Sequence, residues 1–328
     1  MAAADLGVAL LNLGGPWSPE GLRPFLLELF SDREIIRLSP FPFLQGFIAR
    51  RIVGKTLPER ARNYATIGGK SPLLRTTVEQ GAALARELAR RGLRARVLPA
   101  MRYARPRAGD VLASFRRAGV RRAVAVTLYP QYSVATTGSS LNDLGRAIGA
   151  GGGDGIRWLD PVREYPDHPG YVEAMAATIR RALDRVSPAR RDAATILFSA
   201  HGLPRHFVDG GDPYVRHVER TRDAVLARLA LPNPVRLSFQ SRTGPVEWIG
   251  PDTDVVVKEM GAAGVKAVVA VPVSFVSDHI ETLFEIEILY GGMAREAGIE
   301  EFVRVPAVNA DPLFVAALAD LVEERARA

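Results

Sequence analysis

Short, continuous apolar runs alternate along this chain with longer amphipathic stretches, and no other feature limits its folds as strongly. Runs rich in Val, Ile and Leu lie at 7–13, 95–101, 122–129 and 156–159, then at 194–199, 235–240, 267–275 and 302–305. Strands that are apolar on both faces belong in parallel sheets covered by helices on each side. Helices are expected between them, at 76–91, 109–118, 171–186, 213–229, 279–297 and 312–326. Four strands fall in each half, so the pattern predicts two similar doubly wound α/β domains. The glycine-dense segment 151–155 lies between the halves and reads as a turn. In such folds ligands bind beyond the C-terminal ends of the strands, so the loops there are where chemistry is sought.

Composition removes several function classes. There is no cysteine among the 328 residues, which excludes disulfides, thiolate zinc sites, cysteine-ligated iron–sulfur clusters and a cysteine nucleophile. Any metal must meet oxygen or imidazole nitrogen. The 43 Lys and Arg exceed the 36 Asp and Glu, for a net charge of +7. The basic residues are spread along the chain among acids, with no run that resembles a nucleic-acid-binding tail. A mild positive field suits an anionic small molecule or a peripheral encounter with an anionic membrane. Residues 1–7 lack the basic region of a signal peptide. The longest apolar stretch, 267–276, holds Pro272 and Ser274 and falls far short of the ~20 residues of a membrane span. A cytoplasmic protein is expected, peripheral to the inner face of a membrane where it touches one.

The loops after the strands are distinctive. The first holds Asn12-Leu13-Gly14-Gly15-Pro16, where paired glycines serve either a tight turn or close approach to a ligand. Gly68-Gly69-Lys70-Ser71-Pro72 imitates a phosphate loop, but the required earlier glycine is replaced by Tyr64, and Pro72 is expected to interrupt a following helix. Arg102 and Tyr103 follow the second strand. Tyr129, Tyr132 and Ser133 follow the third, with Ser139 or Ser140 as a helix cap. The fifth strand ends at Ser199-Ala200-His201-Gly202, and alternation points Ser199 and His201 to one side. A lone histidine is often structural, yet its place at a strand end favours function. The sixth strand leads into Gln240-Ser241-Arg242, then Gly244-Pro245-Val246-Glu247-Trp248. The seventh leads into Ser274-Phe275-Val276-Ser277-Asp278-His279-Ile280-Glu281 and on to Glu285. Asp278 and Glu281 fit a capping box, which would make both acids mere helix starters. Against that, Glu281 and Glu285 stack on one helical face amid apolar neighbours, a costly arrangement unless a cation visits.

Taken together, segments 10–16, 68–72, 102–106, 129–133 with 136–140, 198–204, 240–251 and 271–285 resemble those of ferrochelatase, in the family's order and from end to end. The resemblance implies an α/β chelatase-like fold of two Rossmann-like, doubly wound domains with parallel four-stranded sheets. Their expected bounds are 1–150 and 151–310, with a C-terminal helix over 311–328 packing back on the first domain. It implies insertion of ferrous iron, a substrate, into a porphyrin held in the cleft between the domains, by a monomer that needs no cofactor. His201 and Glu281 would form the catalytic pair. The metal would meet His201, Glu281, Glu285 and Asp278. Leu13, Tyr64, Ser71, Arg102, Tyr103, Tyr132, Ser133, Trp248 and Phe275 would contact the porphyrin, supported by His279, Gln240 and Ser241. Family members divide between protoporphyrin and the more carboxylated coproporphyrin. The latter branch commonly has a tyrosine where this chain has Leu13, so protoporphyrin IX is the expected substrate and coproporphyrin III the alternative. A further alternative is a non-catalytic porphyrin- or haem-binding protein on the same fold, which would lack the His–Glu pair. Where some members extend the acidic ladder a turn beyond Glu285, this chain has Leu289.

Overall fold

The computed structural model describes residues 6–242 and 246–328. Its strands form two separate four-stranded sheets, each wholly parallel and each with its first strand inside. In the first, β1 (Leu6–Asn12) lies between β2 (Ala95–Met101) and β3 (Arg122–Thr127), and β4 (Arg157–Trp158) flanks β3. In the second, β5 (Thr195–His201) lies between β6 (Val235–Gln240) and β7 (Ala267–Pro272), and β8 (Glu301–Arg304) flanks β7. All eight strands read from the sequence are present, with ends shifted by a few residues. β1, buried at every residue, shows why the runs are continuously apolar: it has a strand on each side and helices above and below.

The helices that cover the sheets are α1 (Leu22–Ser31), α2 (Gln45–Ala65), α3 (Leu73–Arg90), α4 (Ala108–Arg117) and α5 (Ser139–Ala147) in the first unit. The second has α6 (Pro169–Leu183), α7 (Arg205–Asp209), α8 (Tyr214–Leu229), α9 (Thr253–Ala262) and α10 (Gly291–Glu296). A final helix, α11, spans Pro312–Arg327. Helix α2 escapes periodicity because its 21 residues contain Gly54 and Pro58 and bury only Gln45, Ala49, Val53 and Tyr64. Pro72 does not interrupt α3; it sits at the N-cap, where a missing N–H costs nothing. The helix expected over 279–297 is a π-helix at Glu281–Tyr290 that runs on into α10.

The first unit runs to Glu164, not to 150, because β4 pairs with β3 and belongs to that sheet. It resumes at Val315, within α11. There Arg91 donates to Asp320 at 2.6 Å and Arg122 to the carbonyl of Ala326 at 2.6 Å. The second unit is Tyr165–Phe314. In each unit the chain crosses from one side of the first strand to the other, and ligands gather outside the strand ends at such a switch point. In the second unit that point lies between the ends of β5 and β7, at His201 and Pro272.

Candidate functional site

Strand β5 delivers His201 to the switch point of the second unit. Its backbone N–H donates to Ser274 Oγ at 3.2 Å, and Tyr214 Oη donates to its carbonyl at 3.0 Å. These bonds fix the main chain where the strand stops. The imidazole Nδ1 lies 2.7 Å from Glu281 Oε2, the carboxylate at the first residue of the π-helix. A carboxylate only accepts, so Nδ1 carries the proton and Nε2 presents its lone pair. The His201 side chain keeps 39% of its surface accessible, so the pair is held but reachable.

The end of β6 builds the other wall. Gln240 accepts from Ser199 Oγ at 2.7 Å, and its amide donates to Glu285 Oε2 at 3.0 Å and to the Glu281 carbonyl at 3.3 Å. Ser241 follows in the left-handed region, with φ of 70°, which a serine adopts only at a cost. That conformation brings its hydroxyl to both carboxylates, bonded to Glu285 and 3.5 Å from Glu281 Oε2. Tyr290 Oη reaches Glu285 Oε1 at 3.3 Å. Gly202 is required here, because a Cβ would stand 2.7 Å from the Gln240 carbonyl and 3.2 Å from the Trp248 ring. Trp248 thus packs against Gly202, the residue after His201. Phe275 meets the imidazole edge-on with centroids 6.3 Å apart.

Electrostatics separate the two acids. Burial alone would raise the Glu281 carboxyl, but the His201 imidazole beside it holds it well below the usual carboxylate range. Glu285 goes the other way, raised first by burial and then by the charge of Glu281. Burial opposes the charged form of His201, yet the Glu281 carboxylate carries it above its ordinary value. His279, largely withdrawn from water and bonded through Nδ1 to the Ser277 carbonyl at 3.1 Å, is lowered by that burial. The result is one ionised carboxylate paired with a base, next to a second that resists ionisation, a division of roles that suits acid–base chemistry.

The metal set read from the sequence does not assemble. Asp278 turns away: its carboxylate takes Arg304 Nη1 at 2.8 Å, Thr282 Oγ1 at 2.9 Å and Asn309 Nδ2 at 2.9 Å. With a guanidinium already on it, Asp278 has no charge to offer a cation. Glu285 has its oxygens occupied by Gln240, Ser241 and Tyr290. Among the described residues no three of His, Asp and Glu are grouped to hold a metal. His279 Nε2 stands 3.9 Å from Glu281 Oε1. What stands together is the His201–Glu281 pair.

In the first unit the expected porphyrin contacts divide. Leu13, Ser71, Arg102 and Tyr103 gather around the end of β1: Tyr103 N donates to the Leu13 carbonyl and Ser71 N to the Pro16 carbonyl. Leu13 is half-buried and offers only carbon. Arg102 is not free for a propionate, because its guanidinium holds Asp32, Asp143 at 3.3 Å and Ser139 at 3.0 Å. Tyr103 likewise gives its hydroxyl to Asp32 at 2.6 Å. Ser133 is buried and accepts from Ala135 N at 3.2 Å, so it caps the π-helical segment Val134–Gly138 in place of Ser139 or Ser140. Tyr64 is buried on α2 and Tyr132 is half-buried. A cavity of about 750 Å³ opens beside Pro16, Trp17, Phe25, Asp32, Arg102 and Tyr103. Gly244 and Pro245 lie outside the described residues. Sequence reasoning missed Asp32, Tyr214, Ser274 and Arg304. Arg304 carried a signal as a charged residue inside the expected strand 302–305, and Ser274 as part of the loop after the seventh run.

The family model for Ferrochelatase matches residues 5–326. A curated relative described as ferrochelatase, from Geotalea uraniireducens, is 47% identical over 97% of this chain and 97% of its own. The corresponding protein of Citrifermentans bemidjiense is 45% identical over 99% of this chain and all of its own. That of a Cyanothece species is 46% identical over 97% of this chain and 82% of its own. Among solved structures, SirB from Bacillus subtilis with Fe3+ matches at a TM-score of 0.56 and 10% identity, covering 98% of this chain and 96% of that one. At that identity the likeness speaks for the fold, a two-domain α/β chelatase architecture.

The strained Ser241 yields a paired expectation. Ser241→Gly and Ser241→Ala both remove the hydroxyl shared by the two carboxylates, so their turnover should fall together. Gly relieves the left-handed backbone and Ala does not, so the Gly variant should be more stable by about 1 kcal/mol in urea unfolding. Equal stabilities, or full turnover in either variant, would count against this account.

Proposed function

The chain belongs to the ferrochelatase family, and we propose that it inserts ferrous iron into protoporphyrin IX, forming protohaem and releasing two protons. It is a porphyrin metal chelatase, a lyase. The observation that supports the catalytic reading best is the 2.7 Å contact of His201 Nδ1 with Glu281 Oε2 at the switch point of the second unit. Metallation replaces two pyrrole protons by one Fe2+. With Nδ1 bonded to Glu281, Nε2 accepts the two pyrrole protons in turn and passes each to water at its accessible face, and the carboxylate stabilises the imidazolium that forms each time. The other oxygen, Oε1, is the anionic ligand for which ferrous iron exchanges water. Iron enters and leaves in the ferrous state, so the reaction needs no redox cofactor. Glu285, saturated by neighbours, tunes the charge at Glu281 and is not an open ligand.

The choice of protoporphyrin rests on Leu13. An apolar side chain there packs against a macrocycle bearing vinyl groups, and burying a leucine contributes ~1.5–3 kcal/mol, enough to set a preference. The commitment of Arg102 to Asp32 and Asp143 points the same way, since that guanidinium is withheld from extra carboxylates.

The protein works in the cytoplasm and meets an anionic membrane at its surface. No helix among the described residues is long and apolar enough to span a bilayer. The first unit instead exposes Phe41 (55%), Phe43 (80%) and Phe47 (55%) where α2 begins. The exposed Arg50, Arg51 and Lys55 follow on that helix. Aromatic rings beside cations suit a headgroup boundary.

Four measurements test this reading. In an anaerobic assay with ferrous iron, kcat/KM should be higher for protoporphyrin IX than for coproporphyrin III; the reverse order would transfer the enzyme to the other substrate. His201→Ala should lose ~10²–10⁴-fold in kcat while still binding porphyrin. Glu281 raises His201, and the neutral imidazole is the active base, so the acid limb of kcat/KM in the wild type should lie above pH 6.5. In Glu281→Gln the main upward pull is gone, leaving that of Glu285 against burial, so that limb should move to lower pH as the rate drops. A limb that stays in place would remove His201 from the proton path. Finally, the protein should sediment with phosphatidylglycerol vesicles and less with phosphatidylcholine, and Phe43→Ser should weaken it. Indifference to both changes would end the membrane proposal.

A further inference from the structure

The π-helix that carries Glu281 and Glu285 is gripped from outside by one arginine. Arg304 ends β8, and its side chain is only 11% exposed. Its Nη1 lies 2.8 Å from Asp278 Oδ1, and its Nε lies 2.7 Å from Glu287 Oε2. Asp278 precedes the π-helix and Glu287 lies within it, so the two arms hold the chain on either side of the two site carboxylates. The first anchor is itself locked. Asp278 N donates to Asn309 Oδ1 at 2.9 Å, Asn309 Nδ2 returns to Asp278 Oδ2 at 2.9 Å, and Thr282 Oγ1 donates to Asp278 Oδ1 at 2.9 Å. β8 is in register with β7, Arg304 opposite Ala270, and β7 with β5, Ser199 opposite Pro272. The brace thus joins the helix bearing Glu281 to the sheet bearing His201.

A π-helix has poorer hydrogen-bond geometry than an α-helix and is rarely long, so ten residues of it need outside support. A rotation of this segment would swing Glu281 off the imidazole. We infer that Arg304 is a positioning residue for metal insertion: by spanning Asp278 and Glu287 it sets the registry in which Glu281 meets His201. The inference rests on the reading of that pair as catalytic. The planar fork is what makes the span, since Nε and Nη1 point to different carboxylates. A lysine ammonium is a point charge and serves one of them.

Glu287 makes the test sharp, because its side chain is 53% exposed and an exposed ion pair is worth little to stability. If the Arg304–Glu287 pair is only structural, Glu287→Gln leaves kcat alone. If it positions the helix, Glu287→Gln lowers kcat several-fold, with porphyrin KM within about twofold of the wild type and the melting temperature unchanged. Arg304→Lys should lower kcat further, by roughly 10²-fold, the cost of a displacement near 1 Å at a reacting group. The two changes should be non-additive, since they cut one device. Anaerobic turnover with ferrous iron and protoporphyrin IX is measured for wild type, both variants, the double variant and Glu281→Gln. Wild-type kcat in folded Glu287→Gln overturns the inference, even if Arg304→Lys does not fold. A fall confined to porphyrin KM overturns it as well. Full activity in Glu281→Gln instead removes the catalytic reading on which the inference stands.

Discussion

A carboxylate withdrawn from most of its water must be matched, and the second unit is arranged around matching that of Glu281, whose side chain keeps 24% of its surface accessible. His201 supplies one partner from β5, and Ser241 reaches the same oxygen from the end of β6. The strand ends, the left-handed serine, Gly202 and the π-helix all follow from bringing those groups to one point. Leaving the Glu281 charge unmatched would cost stability, a cost lessened by the access that it and His201 keep to water. The match is incomplete: the imidazole stays partly accessible, and Glu281 Oε1 has, among the described residues, only the long 3.9 Å ion pair to His279. That residual demand for positive charge is what ferrous iron can satisfy for the length of a turnover.

The same rule explains how two largely buried arginines are used. Arg102 and Arg304 are both largely buried at strand ends, and both are spent on acids of their own unit. In an arginine-rich chain, position after a strand does not separate a ligand-binding guanidinium from a structural one. The separating fact is whether carboxylates lie within reach. Asp32 lies 70 residues before Arg102 and Asp278 lies 26 before Arg304, distances at which sequence offers no pattern.

The fold was legible because burial on both faces leaves a strong trace. Strands β2 and β6 have the bounds their apolar runs indicate, and only the two-residue β4 obscured where the first unit ends. The site was legible to the extent that it lies in loops after strands, which is why His201, Gln240, Ser241 and Glu281 stand together as read. Illegible were the partners that set each group's role. Asp278 looks like a ligand next to His279 until Arg304 is placed on it, and Ser133 looks like a binding hydroxyl until it caps its own helix. The π-helix was also hidden, because the apolar pattern of 281–290 suits a wider turn as well as an ordinary one.

Strain in the second unit is concentrated where the ligands are set. Of the three non-glycine residues with positive φ among those described, Ala230 merely ends α8, while Ser241 and Asn309 both serve the site. Ser241 uses its conformation to reach two carboxylates, and Asn309 uses its own to exchange two hydrogen bonds with Asp278. Conformations of this kind cost ~1–3 kcal/mol each and persist only where the surroundings over-determine them. Glycine would relieve both positions but would bring no side chain to either acid. The chain therefore keeps polar residues at unfavourable dihedral angles on both sides of the segment 278–285. A site built only to be stable would not do so; one that must hold Glu281 at a fixed distance from an imidazole, while leaving one of its oxygens free, has reason to.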